Sequence, residues 1–196
     1  HYLPTGLTSA LPKKPFSYSI SIVDKIDTLV GFFLINEKPT SSKDPFALRR
    51  AAIGLLRIVI ENKLSINLRD LINYSIRLYE EQGVNIKNEN TETEILDFLK
   101  ERMRNILKLK NIKTDIIEAS IYSHTGDSYL DLYKKNLLMN KYINKDVGIN
   151  TISSYKRASN IAEKAGKGIT GRPDAVLFRS DEEKILHEKI NDIRKA

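Results

Sequence analysis

The chain has 196 residues, 41% of them hydrophobic and 29% charged, which are proportions typical of a globular protein with enough apolar residues for a core. It contains no cysteine, which excludes disulfides, thiolate catalysis and cysteine metal sites, and its longest apolar run, residues 29–35, is too short to span a bilayer. The net charge is +7, and residues 1–60 carry 8 Lys or Arg against 4 Asp or Glu, so a polyanionic partner is compatible with the composition.

The apolar residues recur at helical spacing from the first predicted element onward. After Pro15, an apolar stripe predicts the first helix, through Ile20, Val23, Ile26, Leu29, Val30 and Phe33. The second helix is predicted from an N-cap at Asp44, with Pro45 in its first position, to about Asn62. Its apolar stripe is expected to face the core, through Phe46, Leu48, Ala51, Ala52, Leu55 and Leu56.

Six further helices are predicted along the rest of the chain. Four of them begin at polar residues suited to capping: Asn67 for the third, Thr91 with Glu94 for the fourth, Asp127 for the sixth, and Ser180 with Glu183 for the eighth. The short fifth helix covers residues 116–121, and the seventh covers residues 151–165. No convincing set of alternating strands is present, so the predicted fold class is all-α.

Four cations surround the predicted start of the second helix: Lys38, Lys43, Arg49 and Arg50. A helix N-terminus already carries free N–H groups and a positive dipole end, so these cations do not serve the helix itself. A phosphate would suit both the cations and the helix N-terminus. The alternative is a solvated basic turn that precedes an ordinary core helix.

Two segments of the chain resemble the beta subunit of bacterial glycyl-tRNA synthetase. They are DKIDTLVGFF (residues 24–33) and KPTSSKDPFALRRAAIGLLRI (residues 38–58). Weaker similarity follows in LRDLINYSIRLYEE (68–81), ILDFLKERMR (95–104) and YKRASNIAEKA (155–165). The absence of an initial methionine and the extent of the resemblance lead us to expect an internal fragment of a longer polypeptide.

The resemblance implies a tRNA-binding part of a glycine–tRNA ligase. The expected partners are glycine tRNA and an alpha subunit, in a cytoplasmic complex of two alpha and two beta chains with no membrane association. ATP and magnesium are expected in the alpha subunit, and no cofactor is expected in this chain. The ligase activity therefore belongs to the complex, and the chain alone is expected to be inactive.

The resemblance also implies two domains. Residues 1–125 would form the end of an HD-like helical body that binds tRNA, and residues 126–196 would form part of an anticodon-binding domain of the DALR type. The tRNA-binding residues are expected to be Lys38, Lys43, Arg49 and Arg50 in the first domain, and Lys156 and Arg157 in the second.

No catalytic or metal-binding constellation is apparent, so neither kind of site residue is predicted. The three histidines are isolated, there is no GxSxG elbow, and GKGITG (residues 166–171) lacks phosphate-loop spacing. One alternative is a degenerate phosphohydrolase domain of the HD type. Such a domain would be inactive here, because metal hydrolysis needs a histidine and a His-Asp pair that the chain lacks. A helical protein-interaction module is the other alternative, in which the cations would be dispersed instead of forming one face.

Overall fold

The computed structural model describes residues 3–124, 126–165 and 173–195. All regular structure within these ranges is helical, which confirms the predicted all-α class for the described chain. The elements are α1 (Pro15–Leu34), α2 (Leu48–Glu61), α3 (Leu68–Glu81), α4 (Thr91–Lys108), α5 (Thr114–Tyr122), α6 (Tyr129–Ile143), α7 (Asp146–Ala165), a short 3-10 helix (Ala175–Leu177) and α8 (Asp181–Lys195). The more specific expectation of an HD-like body stays a prediction.

Helix α2 occupies the centre of the core, where it packs against α1, α4 and α6. Leu48 and Leu55 on its predicted inner side are fully buried, as are Ile58 and Val59 in its last turns. Helix α4 contributes Leu99 and Met103, which are also fully buried. Of the predicted stripe, Leu48, Ala52, Leu55 and Leu56 are buried, which confirms the inner side of α2, whereas Phe46 lies before the helix and is 41% exposed.

The buried face of α1 differs from the prediction. Ile20 and Val23 are 41% and 66% exposed, whereas Ser21 and Lys25 are buried. The reason is the segment that precedes the helix: Ser21 Oγ donates to the carbonyl of Leu3 over 2.6 Å, and Lys25 Nζ donates to the same oxygen over 3.3 Å. This non-helical segment covers one side of α1, so polar residues are buried where the apolar spacing predicts solvent.

The chain divides into two compact units, residues 1–148 and 149–196. Helix α6 belongs to the first unit, because it packs against α2, α4 and α5. The spatial division therefore lies after α6, whereas the family-based division was placed between residues 125 and 126. The assignment of residues 126–196 to an anticodon-binding domain stays a prediction.

The second unit contains most of α7, the 3-10 helix and α8. The predicted capping box at the start of α8 is confirmed: the Glu183 carboxylate accepts from the backbone N–H groups of Arg179 and Ser180, and Ser180 Oγ accepts from the Glu183 N–H. The apolar side chains of α8 are largely exposed, with Ile185 at 57% and Leu186 at 62%. The GKGITG segment lies outside the described residues.

Candidate nucleic-acid interface

The start of α2 is built around the Asp44 side chain. The helix begins at Leu48, and not next to Asp44 as predicted, because Ala47 adopts a left-handed conformation with φ 56° that interrupts the helical backbone. Asp44 still caps the helix: its two carboxylate oxygens accept from the N–H groups of Leu48 (2.8 Å) and Arg49 (3.0 Å). Since a carboxylate already occupies these donors, a phosphate at this helix N-terminus would have to displace it.

Lys38 is held by an ion pair across the first unit. Its Nζ lies 2.5 Å from Glu94 Oε2 near the start of α4, and Asn88 Nδ2 donates to the same oxygen over 2.8 Å. The hydrogen bond from Lys38 is the main cause that lowers the pKa of Glu94. The predicted capping box at Thr91 and Glu94 is wrong, since Thr91 Oγ1 donates to the Asn88 carbonyl and Glu94 is engaged with Lys38 and Asn88.

The ion pair predicts a titration result. In a Lys38→Ala variant, the pKa of Glu94 should rise toward the ordinary glutamate value, as measured by carboxyl carbon chemical shifts across a pH titration. Because the pKa of Glu94 is lowered in the fold, the pair stabilises the protein above the unfolded glutamate pKa, and this contribution is lost as the pH falls through the lowered value. An unchanged pKa of Glu94 would show that Lys38 is not its partner. The control is Lys134→Ala on α6, where an exposed lysine pairs with Asp131 and should leave the pKa of Glu94 unaffected.

The other three cations have different surroundings. Arg49 as a residue is half-buried, and its guanidinium donates from Nη2 to the Thr40 carbonyl in an exposed hydrogen bond. Lys43 and Arg50 are exposed, and neither side chain makes a hydrogen bond or an ion pair with the described part of the chain. Lys43 lies in the turn closed by the Thr40 N–H, which donates to its carbonyl over 3.0 Å. Among the four predicted residues of this region, Lys43 and Arg50 are thus the two with fully available charge.

Arg50 borders an open depression of about 420 Å³ between α1, the start of α2 and the N-terminal segment. Its polar lining includes Asp24, Lys25 and Thr28 on α1. Arg50 is its exposed cation and Asp24 its carboxylate, whereas Lys25 is buried and donates to the Leu3 carbonyl and Ser21 Oγ.

Arg102 on α4 is a cation of this region that is not among the predicted tRNA-binding residues. Its guanidinium carbon lies 4.7 Å from the centroid of the Phe98 ring, and burial followed by the charge of Arg49 lowers its pKa. Glu94, Phe98 and Arg102 follow one another at i, i+4 and i+8, so they lie on one face of α4. This spacing was the available signal, but the sequence could not show that the face lies against the loop before α2.

Lys156 and Arg157 lie on α7 in the second unit, and both are exposed. They are adjacent in sequence, so they point in different directions from the helix axis. No hydrogen bond or ion pair of either side chain with another described residue is present. Their role as a second tRNA contact stays a prediction.

The description of the matching family model is "Glycyl-tRNA synthetase beta subunit", and the match covers residues 1–122, which include α1 to α5 and every cation around the start of α2. The chain belongs to the glycyl-tRNA synthetase beta subunit family. The resemblance stated from residues 24–33 and 38–58 is confirmed.

Similar curated proteins carry the same description. The glycine–tRNA ligase beta subunit of Rickettsia canadensis (strain McKiel) is 41% identical over 186 residues, which are 95% of this chain and 26% of that protein. The one from Clostridioides difficile (strain 630) is 31% identical over 194 residues, 99% of this chain and 27% of that protein. The chain therefore spans about a quarter of the length of these relatives.

The described residues contain neither a membrane-spanning helix nor a metal-binding cluster. None of the helices in those ranges combines the length and apolar character that crossing a membrane requires. No group of three or more His, Asp or Glu side chains in the same ranges could hold a metal ion.

Proposed function

We propose that this chain contributes tRNA-binding surface to a glycine–tRNA ligase. The observation that carries the proposal is the pair of exposed cations, Lys43 and Arg50, that flank the start of α2 without a partner in the described chain. Many cations of the described chain are paired with a carboxylate, as Arg104 is with Glu118, but Lys43 and Arg50 are not. A phosphate backbone is the partner that exposed, unpaired Lys and Arg side chains suit.

The division of work in the ligase is part of the same proposal. The alpha subunit would activate glycine with ATP and magnesium and would charge the tRNA, in a cytoplasmic complex of two alpha and two beta chains. This chain would hold the tRNA so that its acceptor end reaches the alpha subunit, and Lys156 and Arg157 would add a second contact nearer the anticodon. Contacts that bind the tRNA far from the reacting atoms support catalysis, because they orient its acceptor end at the site of the reaction.

The main test is a Lys43→Gln/Arg50→Gln double variant of the beta subunit in the complete ligase. We expect its dissociation constant for glycine tRNA to rise about tenfold, and the slope of log affinity against log salt to fall by about one unit for each lost phosphate contact. Glutamine keeps much of the side-chain stem, so packing is disturbed little. Fluorescence anisotropy at several salt concentrations measures both quantities.

The matched control is Arg77→Gln. Arg77 is an exposed cation on α3, away from the start of α2 along the chain, and its guanidinium carbon lies 5.7 Å from the ring of Tyr74 on the same helix. It should bind glycine tRNA like the wild type. If the folded Lys43/Arg50 double variant has the same affinity and salt slope as Arg77→Gln, the basic start of α2 is a solvated turn and the proposal for this surface fails.

Two alternatives stay open. A helical protein-interaction module would show no loss of tRNA affinity in the double variant. An inactive domain of the HD type has no observation in its favour among the described residues. The exposed cations at α2 favour the tRNA contact over both.

A further inference from the structure

The lining of the depression between α1, the start of α2 and the N-terminal segment includes three chemically different side chains. Phe46 precedes α2, Arg50 lies in the first turn of that helix, and Asp24 lies on α1. The volume of about 420 Å³ falls within the range of ligand sites in proteins, which is about 300–1,000 Å³. An aromatic ring, a cation and a carboxylate therefore border one cavity of the size of a ligand site.

Phe46 is an exposed aromatic residue whose ring is supported from one side. Its side chain is 41% exposed, and its ring stacks on Phe32 with the ring centroids 4.0 Å apart and 20° between the ring planes. Phe32 in turn packs against the hydrophobic core. Because Phe32 covers one face of the Phe46 ring, the exposed area of the ring lies on its other face and its edge. Unpaired bases stack on aromatic rings of this kind in RNA-binding proteins.

The two exposed charged groups of the depression suit different parts of a nucleotide. Arg50 makes no hydrogen bond or ion pair with a described residue, so its guanidinium is available to a phosphate. Asp24 is exposed on α1, and the neighbouring Lys25 donates to the Leu3 carbonyl and to Ser21 Oγ. A carboxylate repels a second phosphate, whereas it accepts hydrogen bonds from the amino groups of bases. One phosphate beside a base therefore suits these charges better than two phosphates do.

We propose that this depression binds one unpaired nucleotide of an RNA, with the base stacked on Phe46, the phosphate at Arg50 and an amino group of the base at Asp24. This inference rests on the proposed tRNA-binding function and adds a base contact to the phosphate contacts of Lys43 and Arg50. The nucleotide has to be unpaired, because both faces of a base inside a duplex are already stacked on its neighbours. The depression thus favours a loop, a bulge or an end of the RNA over a double helix.

The first experiment replaces Phe46 by leucine in the beta subunit of the complete ligase. Leucine stays apolar against Phe32 but has no flat face, so glycine tRNA should bind about tenfold more weakly. The slope of log affinity against log salt should not change, because no phosphate contact is lost. Phe46→Trp keeps a flat face and should bind like the wild type. The control is Phe16→Leu on α1, since Phe16 is 78% exposed and does not line the depression, and it should also bind like the wild type.

The combination of affinity and salt slope separates a base contact from a structural role of Phe46. If Phe46→Leu lowers the salt slope together with the affinity, the ring only positions Arg50 and the proposal of a stacked base is wrong. Wild-type affinity of Phe46→Leu, or an equal loss of affinity in Phe46→Trp, would also overturn the proposal. Circular dichroism of each variant checks that its helices are formed.

The second experiment uses the fluorescence of Phe46→Trp in the 196-residue chain, which contains no tryptophan of its own. A short single-stranded oligocytidylate should quench this fluorescence by stacking, whereas inorganic polyphosphate, which has phosphates but no bases, should not. Equal quenching by the two would overturn the base contact.

The role of Asp24 is tested by adding Asp24→Asn to the Phe46→Trp chain. The oligocytidylate should then bind about threefold more weakly, because a charged acceptor for the cytosine amino group is lost. Equal or tighter binding would show that Asp24 makes no contact with the base, and would overturn that part of the proposal.

The variants also distinguish failure of this inference from failure of the proposed function, because Lys43 does not line the depression. Loss of tRNA affinity in Lys43→Gln/Arg50→Gln, with wild-type affinity in Phe46→Leu and no quenching, would keep the function and reject the nucleotide site. Quenching by oligocytidylate, with wild-type tRNA affinity in both ligase variants, would keep a nucleotide site and reject the tRNA function.

Discussion

Replacing Leu55 by alanine is expected to cost about 2–5 kcal/mol of the free energy of unfolding. Leu55 is fully buried in α2, the helix that packs against α1, α4 and α6. The substitution removes three carbon atoms from a site surrounded on all sides by helices, so the loss includes both the transfer free energy of these atoms and the cavity that they leave. Because the neighbouring helices also pack against one another, they can move inward only in part to fill this cavity.

Amide hydrogen exchange in α2 measures this loss, because the exchange of its protected N–H groups reports the free energy of opening the core in which the helix is buried. Ile58 and Val59 are suitable probes, since both are fully buried in the same helix. The control is Leu138→Ala on α6, where the side chain is 67% exposed and the change should stay within about 0.5 kcal/mol. A similar small loss for Leu55→Ala would contradict the central position of α2 in the core.

Replacing Gly148 by alanine is expected to destabilise the connection between α6 and α7 by about 1–3 kcal/mol. Gly148 is buried in the first turn of α7, and an added Cβ would lie 2.2 Å from the Tyr142 carbonyl oxygen and 2.8 Å from the Ile143 Cα. These are backbone atoms, so no side-chain rotation can relieve the contact. The backbone between residues 142 and 148 has to move apart.

The Lys145 N–H, which donates to the Tyr142 carbonyl over 3.0 Å, is the probe for this change. Its hydrogen exchange should accelerate in Gly148→Ala. The matched control is Gly6→Ala, because a Cβ at Gly6 would meet no heavy atom within 4 Å. If both glycine variants exchange at the same rate as the wild type, the close approach of Gly148 to the backbone of residues 142–143 is not present in solution.

The helices themselves could be predicted from the sequence, because helical periodicity and caps are local. Asn67 caps α3 as expected, with its side chain accepting from the Arg69 and Asp70 N–H groups. The predicted helix bounds are less accurate where the capping residue is separated from its helix along the chain. Asp44, for example, caps a helix that begins four residues later. The cap at α6 is Ser128, while Asp127 pairs with Arg69 on α3, a contact that no local pattern specifies.

The cations of the candidate interface show the same limit more clearly. Their presence around residues 38–50 was readable from the sequence, and so was the family. Which of them carry available charge was not readable, because Lys38 is neutralised by Glu94 from α4 whereas Lys43 and Arg50 have no such partner in the described chain. Arg102 was missed for the same reason, since its proximity to Arg49 exists only after α2 and α4 pack together.

By itself, the sequence determined the all-helical class, most helix positions, the apolar inner side of α2 and membership of the glycyl-tRNA synthetase beta subunit family, because these depend on spacing along the chain and on long matched segments. Only the tertiary structure decided which face of α1 is buried, where α2 begins, and which cations are paired. These properties depend on groups far apart in sequence, such as Ser21 with Leu3 and Lys38 with Glu94, whose electrostatic and hydrogen-bonding interactions arise when the helices pack.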